Sequence, residues 1–361
     1  MADNRLAGRD TPNLHDKITP VLYGTYLYGK GAKVKVTTFK RSKSTRFAVL
    51  LAAGALVLAG CSSAPNLQAA VGEPTTAAAG GNTPKASAMI LASIGTDAHA
   101  AGLLPAAIKT KGEITVGAFL QGPPAFYLDS DGKTPLGYEW DLTNAIAKTL
   151  GVKVKIEDMP FGQLINSLKT DRVDYIMSMM SDTVEREKQI DFVNYAQGGV
   201  SVLVQKGNPK KITGPNDSMC GKSAITTPGA SQAEWAKKVS QDQCVAKGLD
   251  PIDIQSAPDL ATQYNSLRTG RVDMKLSDYA TNVYAAQIYQ KGESFQVLDI
   301  PLENAGNYGI GINKANPELA DAVKAAVQKL MDSGSYAKIL GQWSLNSAAI
   351  PAATINTPKV G

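Results

Sequence analysis

The sequence predicts an α/β protein of two lobes with the binding cleft between them, carried behind an export leader. Three observations carry that expectation. From Gly112 onwards β-rich runs alternate with runs of helical periodicity, one short pattern occurs twice within that region, and the excess positive charge is confined to the first sixty residues.

The elements follow in order. "EITVGAF" (113–119) is rich in strand formers, and "EWDLTNAIAKTLG" (139–151) has Trp140, Leu142, Ile146 and Leu150 at helical spacing before a glycine stop. "KVKIEDM" (153–159) alternates as a strand, "FGQLINSLKTDR" (161–172) is amphipathic, and "VDYIMSM" (173–179) returns to strand. The alternation then repeats: strand 222–228, helix 231–241, strand 251–257, helix 259–271, strand 272–278, helix 279–292. Two final helices are expected over 316–334 and 336–345.

The repeated pattern reads Asn-Ser-Leu, a basic residue, Thr, one residue, then Arg-Val-Asp and an apolar strand. It starts at Asn166 and again at Asn265. Two lobes built on similar βαβ units explain it better than one long sheet. Ligands of open α/β folds lie at the carboxyl ends of strands. Ser178 to Ser181 and Ser277-Asp278 end the two repeated strands and are therefore expected to face each other across a cleft.

Of the net charge of +5, the first sixty residues hold ten Lys/Arg against three acids, which leaves the body at −2. Nucleic-acid binding needs a clustered basic face, so that class is set aside. Lys40, Arg41, Lys43 and Arg46 precede the apolar run Phe47–Ala59, which is too short to span a bilayer and suits a signal peptide. "LAGC" (58–61) then resembles a lipobox, so residues 1–60 are expected as leader and Cys61 as a lipidated N-terminus anchoring the chain outside the cytoplasm. Residues 61–112, rich in Ala, Gly, Ser, Thr and Pro, read as a flexible tether with a short helix around "DAHAAGLLPAAIKT". Cys220 and Cys244 remain as an even pair in an exported chain: a disulfide, or two buried free thiols.

Catalytic machinery is scarce. "GPNDSMCGKS" misses the phosphate-loop spacing and precedes a strand, and "GIGINK" lacks a third glycine. His15 lies in the leader and His99 in the tether, which leaves the body without a histidine for triads, dyads or ordinary zinc sites. No cofactor and no metal site is expected, and binding moves ahead of catalysis.

The stretches "TPLGYEWDLTNAIAKTLGVKVKIEDMPFGQLINSLKTDRVDYIMSMMSDTVEREKQIDFVNY", "GKSAITTPGASQAEWA", "LRTGRVDMKLSDYAT" and "NYGIGINKANPELADAVKAAVQKLMDSGSYAKILGQW" occur in that order. Together, over residues 113–346, they resemble the polar amino-acid-binding proteins of ABC importers, solute-binding family 3. The resemblance implies a type II periplasmic-binding-protein fold. Each lobe is then a mixed, mostly parallel sheet flanked by helices, with lobe I over 113–203 and 302–346, lobe II over 204–301, and a C-terminal tail over 347–361. It implies a monomer that delivers its ligand to a permease.

It also implies roles. Arg186 of "SDTVER" falls where the family grips the ligand α-carboxylate, which a planar fork of donors suits, with Ser181 adding a donor. "GAS" at 229–231 replaces the family's Gly-Thr-Thr and opens a helix, leaving Ser231 as its hydroxyl. Asp278 matches the acid that receives the α-ammonium. An internal salt bridge for Arg186 and a helix N-cap for Asp278 are the alternatives. Phe161 and Phe126 correspond to aromatic pocket walls and are equally readable as core. Ser178 and Met179 border the cleft, with Gln121, Thr227 and Gln232 as weaker candidates. The loop "FLQGPPAF" lacks the acid some members use for cationic side chains, which disfavours basic ligands. The rival readings are a cyclic-acid dehydratase on the same scaffold and a ligand-sensing lipoprotein.

Overall fold

Two long strands organise the chain. In the computed structural model, which describes residues 84–358, β7 (Asp191–Gln205) and β12 (Glu303–Ile312) run antiparallel, from Ile312 opposite Asp191 to Glu303 opposite Val200. Eleven of the fifteen residues of β7 are buried. With both faces covered, the strand shows no polar alternation in sequence.

One lobe is built on β1 (Glu113–Ala118), β5 (Lys153–Asp158) and β6 (Tyr175–Ile176), the other on β8 (Ser223–Thr226), β9 (Asp253–Ser256) and β10 (Met274–Asp278). The strand order β5-β1-β6-β12-β7-β10-β8-β9 makes one continuous sheet. The lobes are therefore parallel within themselves and joined through the antiparallel pair. β11 (Phe295–Val297) and β13 (Thr354–Ile355) also pair with β7. A small sheet of β2 (Gln121–Gly122), β3 (Phe126–Leu128) and β4 (Pro135–Leu136) forms the first loop.

In chain order the helices are α1 (Pro84–Ala92), α2 (Ala98–Leu103), α3 (Ala106–Lys111), α4 (Tyr138–Leu150), α5 (Leu164–Lys169), α6 (Val184–Glu187), α7 (Ser231–Val239), α8 (Leu260–Arg268), α9 (Tyr279–Ile288), α10 (Pro317–Asp332) and α11 (Ser335–Gln342). Separate apolar clusters serve the lobes, one around Ile114, Leu142, Val323 and Ile339, others around Trp235 with Met274 and Tyr264 with Phe295.

The repeated motif has a common physical role. Asp174 takes the Thr115 N–H on its carboxylate at 2.6 Å and donates its own N–H to Thr115 O at 2.8 Å; Asp273 makes the same two bonds with Ser223, both at 2.9 Å. In each lobe the Arg-Val-Asp turn thereby pins the repeated strand to the lobe's first strand.

Two boundaries differ from the sequence expectation. Residues 84–111, taken as tether, form α1–α3, and Ala100, Leu104 and Ile108 are buried in the first lobe's core. Asp97 caps α2 through the Ala100 N–H at 3.0 Å and pairs with Lys329 of α10 at 3.2 Å. Besides Ala100 the segment docks through Ile90, Leu91, Ile94, Leu103, Leu104 and Ile108, large side chains that its Ala-rich composition obscures. The C-terminal tail likewise docks: β13 adds to β7, and Asn194 donates to the hydroxyls of Thr354 and Thr357. Cys220 and Cys244 are joined in a disulfide with their Cα atoms 5.4 Å apart, which decides between the two readings of that pair. The leader 1–60, Cys61 and the first part of the tether lie outside the described residues.

Leu104→Ala is expected to cost about 2–5 kcal/mol in urea denaturation, since Leu104 is only 3% exposed in that core. A residue in a loose tether would cost nothing.

Candidate functional site

The expected strand 173–179 leaves the ladder after Ile176, and that departure makes the site. Met179 takes a positive φ of 46°, a conformation a non-glycine residue holds only against opposition. The buried Glu139 at the start of α4 holds it there: its carboxylate accepts the Met179 N–H at 2.7 Å and the Tyr195 hydroxyl from β7. Ser178 accepts the Phe119 N–H at 3.3 Å, tying this corner to the end of β1.

Arg186 rises from the single turn α6, whose N-cap Thr183 accepts the Arg186 N–H. Its guanidinium donates to Ser181 O at 2.8 Å in its own lobe and to Gly229 O at 2.9 Å in the other, and lies 5.8 Å from the Phe161 ring centre. Burial pulls its pKa down to about 10, opposed by the charges of Asp278 and Asp182, so it stays protonated at neutral pH. Beside it the hydroxyls of Ser181 and Ser231 meet across the lobes at 3.1 Å.

Asp278 occupies the N-cap position of α9 but makes no side-chain capping bond there, which leaves its carboxylate to the cavity. One carboxylate oxygen accepts both the Tyr308 hydroxyl of β12 at 2.5 Å and the Gln232 amide at 3.2 Å. Burial raises its pKa, opposed by the Tyr308 hydrogen bond and the charges of Lys275 and Arg186. Tyr308 passes close over Gly198 of β7: a Cβ there would stand 2.2 Å from the phenolic oxygen, so only glycine lets the ring reach Asp278.

Arg186 and Asp278 line one cavity of about 50 Å³ together with Phe161, Ser178, Met179, Ser181 and Ser231. Thr227 and Gln232 also line it. Phe126 does not: it is 1% exposed and packs against Trp140 in a cluster with Ala118 and Leu120. The first-loop aromatic at the cavity is Phe119, because the turn after β1 points that residue inward and buries Phe126 behind the small sheet. Gln121 is exposed and stands outside the lining. Sequence reasoning missed Phe119, Glu139 and Tyr308. The acid two residues after "LG" and the tyrosine before "GIGI" were visible as residues, but nothing local marks either as buried against the cleft.

Glu139 makes the site pH-sensitive. Burial pushes its carboxyl up to about 7 from 4.5. An acid whose folded pKa lies above its unfolded value binds more protons when folded, so its contribution to stability falls as pH rises between those two values and levels off above. Glu139→Gln, which keeps an acceptor for Met179, is expected to reduce that slope in thermal melts taken from about pH 4.5 to 7. Asp182, also pushed up to about 7 by burial, sustains the remainder.

The comparisons with known proteins agree with this architecture. The arginine-binding protein ArgT of Corynebacterium glutamicum is 29% identical over 255 residues, which is 70% of this chain and 81% of the relative. The L-cystine-binding protein TcyJ of Escherichia coli is 26% identical over 65% of this chain and 84% of its own length. Among solved structures, an ancestral arginine-binding protein bound to arginine matches with a TM-score of 0.58 and 29% identity, covering 64% of this chain and 98% of its own. An ancestral amino acid-binding protein, a precursor of cyclohexadienyl dehydratase, matches with a TM-score of 0.58 and 26% identity over 66% of this chain and 97% of its own. The profile of the bacterial extracellular solute-binding proteins, family 3, spans residues 114–346, both lobes and the cleft between them, and the chain belongs to that family.

Proposed function

We propose that this protein captures an α-amino acid in the interlobe cavity and delivers it to the permease of an ABC importer, held outside the cytoplasm by a lipid on Cys61. The observation that carries the reading is the meeting of one guanidinium and one carboxylate, from opposite lobes, on a single small cavity. A zwitterion supplies the complementary pair. Its carboxylate takes the charge-assisted donors of Arg186 with the hydroxyls of Ser181 and Ser231, and its ammonium takes Asp278. Because ligand contacts come from both sides, binding draws the lobes together by rotation at the crossover strands. Phe161, Ser178 and Met179 border the ligand side chain.

Binding rather than turnover is supported by the relatives, whose names describe amino-acid binding. The ancestral precursor of a dehydratase is itself named as a binding protein. Cyclic acids incubated with the purified protein are therefore expected to be recovered unchanged.

Arg186→Ala should cost about 3–5 kcal/mol of binding, a hundredfold or more in Kd, because it leaves the ligand carboxylate buried and unpaired. Asp278→Asn keeps shape and an acceptor and should cost about tenfold or more. Isothermal titration of each variant against the best amino acid and its decarboxylated and deaminated analogues separates the roles. Loss of preference for the carboxylate is expected in the first and for the amine in the second; wild-type affinity in a folded variant refutes that residue's role. For the anchor, Cys61→Ala should abolish metabolic labelling with palmitate and leave an unprocessed precursor.

A further inference from the structure

Lys275 is fully buried, on β10 three residues before Asp278. Its ammonium meets the Asn282 amide oxygen at 3.5 Å and stands 5.1 Å from the Tyr264 ring centre. Asn282 is fixed in that orientation by bonds from its amide nitrogen to the Ser201 carbonyl at 3.1 Å and hydroxyl at 2.9 Å. None of the ion pairs formed among the described residues includes Lys275. A buried cation whose contacts are an amide and a ring face is costly, and the carboxylate that favours its charge, Asp278, acts on it without an ion pair.

Its position explains what it does there. Phe119 and Leu260 line the cavity and share one apolar cluster with Tyr264, over which the ammonium sits. Thr281, the next residue to Asn282, lines it as well. Lys275 is thus set against the cluster that supplies Phe119 and Leu260 to the cavity wall, and against the neighbour of Thr281. Among the described residues, the charged side chains of the lining are Arg186 and Asp278. Once a ligand's α-carboxylate and α-ammonium have taken those two, a charged side chain finds no lining partner of opposite sign. Glu139, the other buried carboxyl near the site, is screened behind Met179 and engaged by the Met179 N–H and Tyr195.

We propose that Lys275 is a specificity-determining residue whose buried positive charge, acting through the wall of the cavity, turns away α-amino acids with cationic side chains. The inference rests on the amino-acid reading given above. Two unit charges separated by one layer of side chains still interact appreciably in a protein interior, where screening is far weaker than in water. Burial lowers the Lys275 ammonium to about 7 and raises Glu139 to about 7, so on the acid side of neutrality the lysine is charged and the glutamate largely neutral.

The test is calorimetric titration at about pH 6 with two pairs of nearly equal size, citrulline against arginine and glutamine against lysine. The wild-type protein is expected to bind the neutral member at least about tenfold more tightly in whichever pair binds, and Lys275→Met to narrow that ratio by about tenfold. Lys275→Gln serves as the second variant if the methionine form does not fold. Arginine or lysine binding the wild type as tightly as its neutral counterpart overturns the specificity inference while the amino-acid reading stands. An unchanged ratio in a folded variant overturns the role of Lys275. Failure of these four and the other common amino acids to bind removes the amino-acid reading and this inference with it.

Discussion

A half-buried guanidinium set between two lobes takes a hydrogen-bond acceptor from each, and the arrangement of this molecule follows from that pairing. Arg186 donates to a carbonyl of each lobe, Ser181 O and Gly229 O. Each carbonyl is available only because its chain segment has left regular structure: Ser181 follows the break after β6, and Gly229 sits in the turn before α7 with φ of 78°. Strained turns cost free energy locally. They are sustained here by partners deeper in the lobes, above all Glu139 beneath Met179.

The crossover strands give those partners a common frame. Tyr195 on β7 donates to Glu139 in one lobe, and Tyr308 on β12 donates to Asp278 in the other. Each buried carboxyl at the cleft therefore rests on a phenol from the pair of strands that joins the lobes. A rotation that opened the cleft about β7 and β12 would change the distance from Tyr308 to Asp278 directly. The same rotation would part Ser181 from Ser231 and Arg186 from Gly229. On the proposed reading, closure and the assembly of the charged site are one structural event.

Much of this was legible in the sequence, and the limits have physical causes. The alternation of elements and the twin Arg-Val-Asp turns were readable because periodicity and a local side-chain-to-backbone bond are recorded within a few residues. Arg186, Ser181, Ser231 and Asp278 were brought to one cavity as the family resemblance implied. Phe126 and Phe119 were exchanged because a turn of a few residues decides which aromatic faces inward, and composition carries no trace of that choice. Residues 84–111 were taken as tether because their Ala-rich composition hides the few aliphatic side chains, Ile90, Leu91, Ile94, Leu103, Leu104 and Ile108, that dock them on the core. Lys275 and Glu139 are charged residues in buried positions, so sequence reasoning sends them to the surface by default.

The buried charges also bear on why a zwitterion suits the cleft. Arg186 has its pKa lowered and Asp278 has its pKa raised, each chiefly by burial, so the charged form of each is less favoured than it is in water. Neighbours compensate incompletely: Tyr308 and Gln232 share one oxygen of Asp278, and the Arg186 donors serve carbonyls that carry only partial charge. On the proposed reading, the ligand completes what the fold leaves unfinished, since an ammonium returns Asp278 toward its ordinary pKa and a carboxylate does the same for Arg186. Linkage then requires the converse: the protein binds the zwitterion most tightly where all four groups are charged, and part of the binding free energy is the relief of desolvation already incurred on folding.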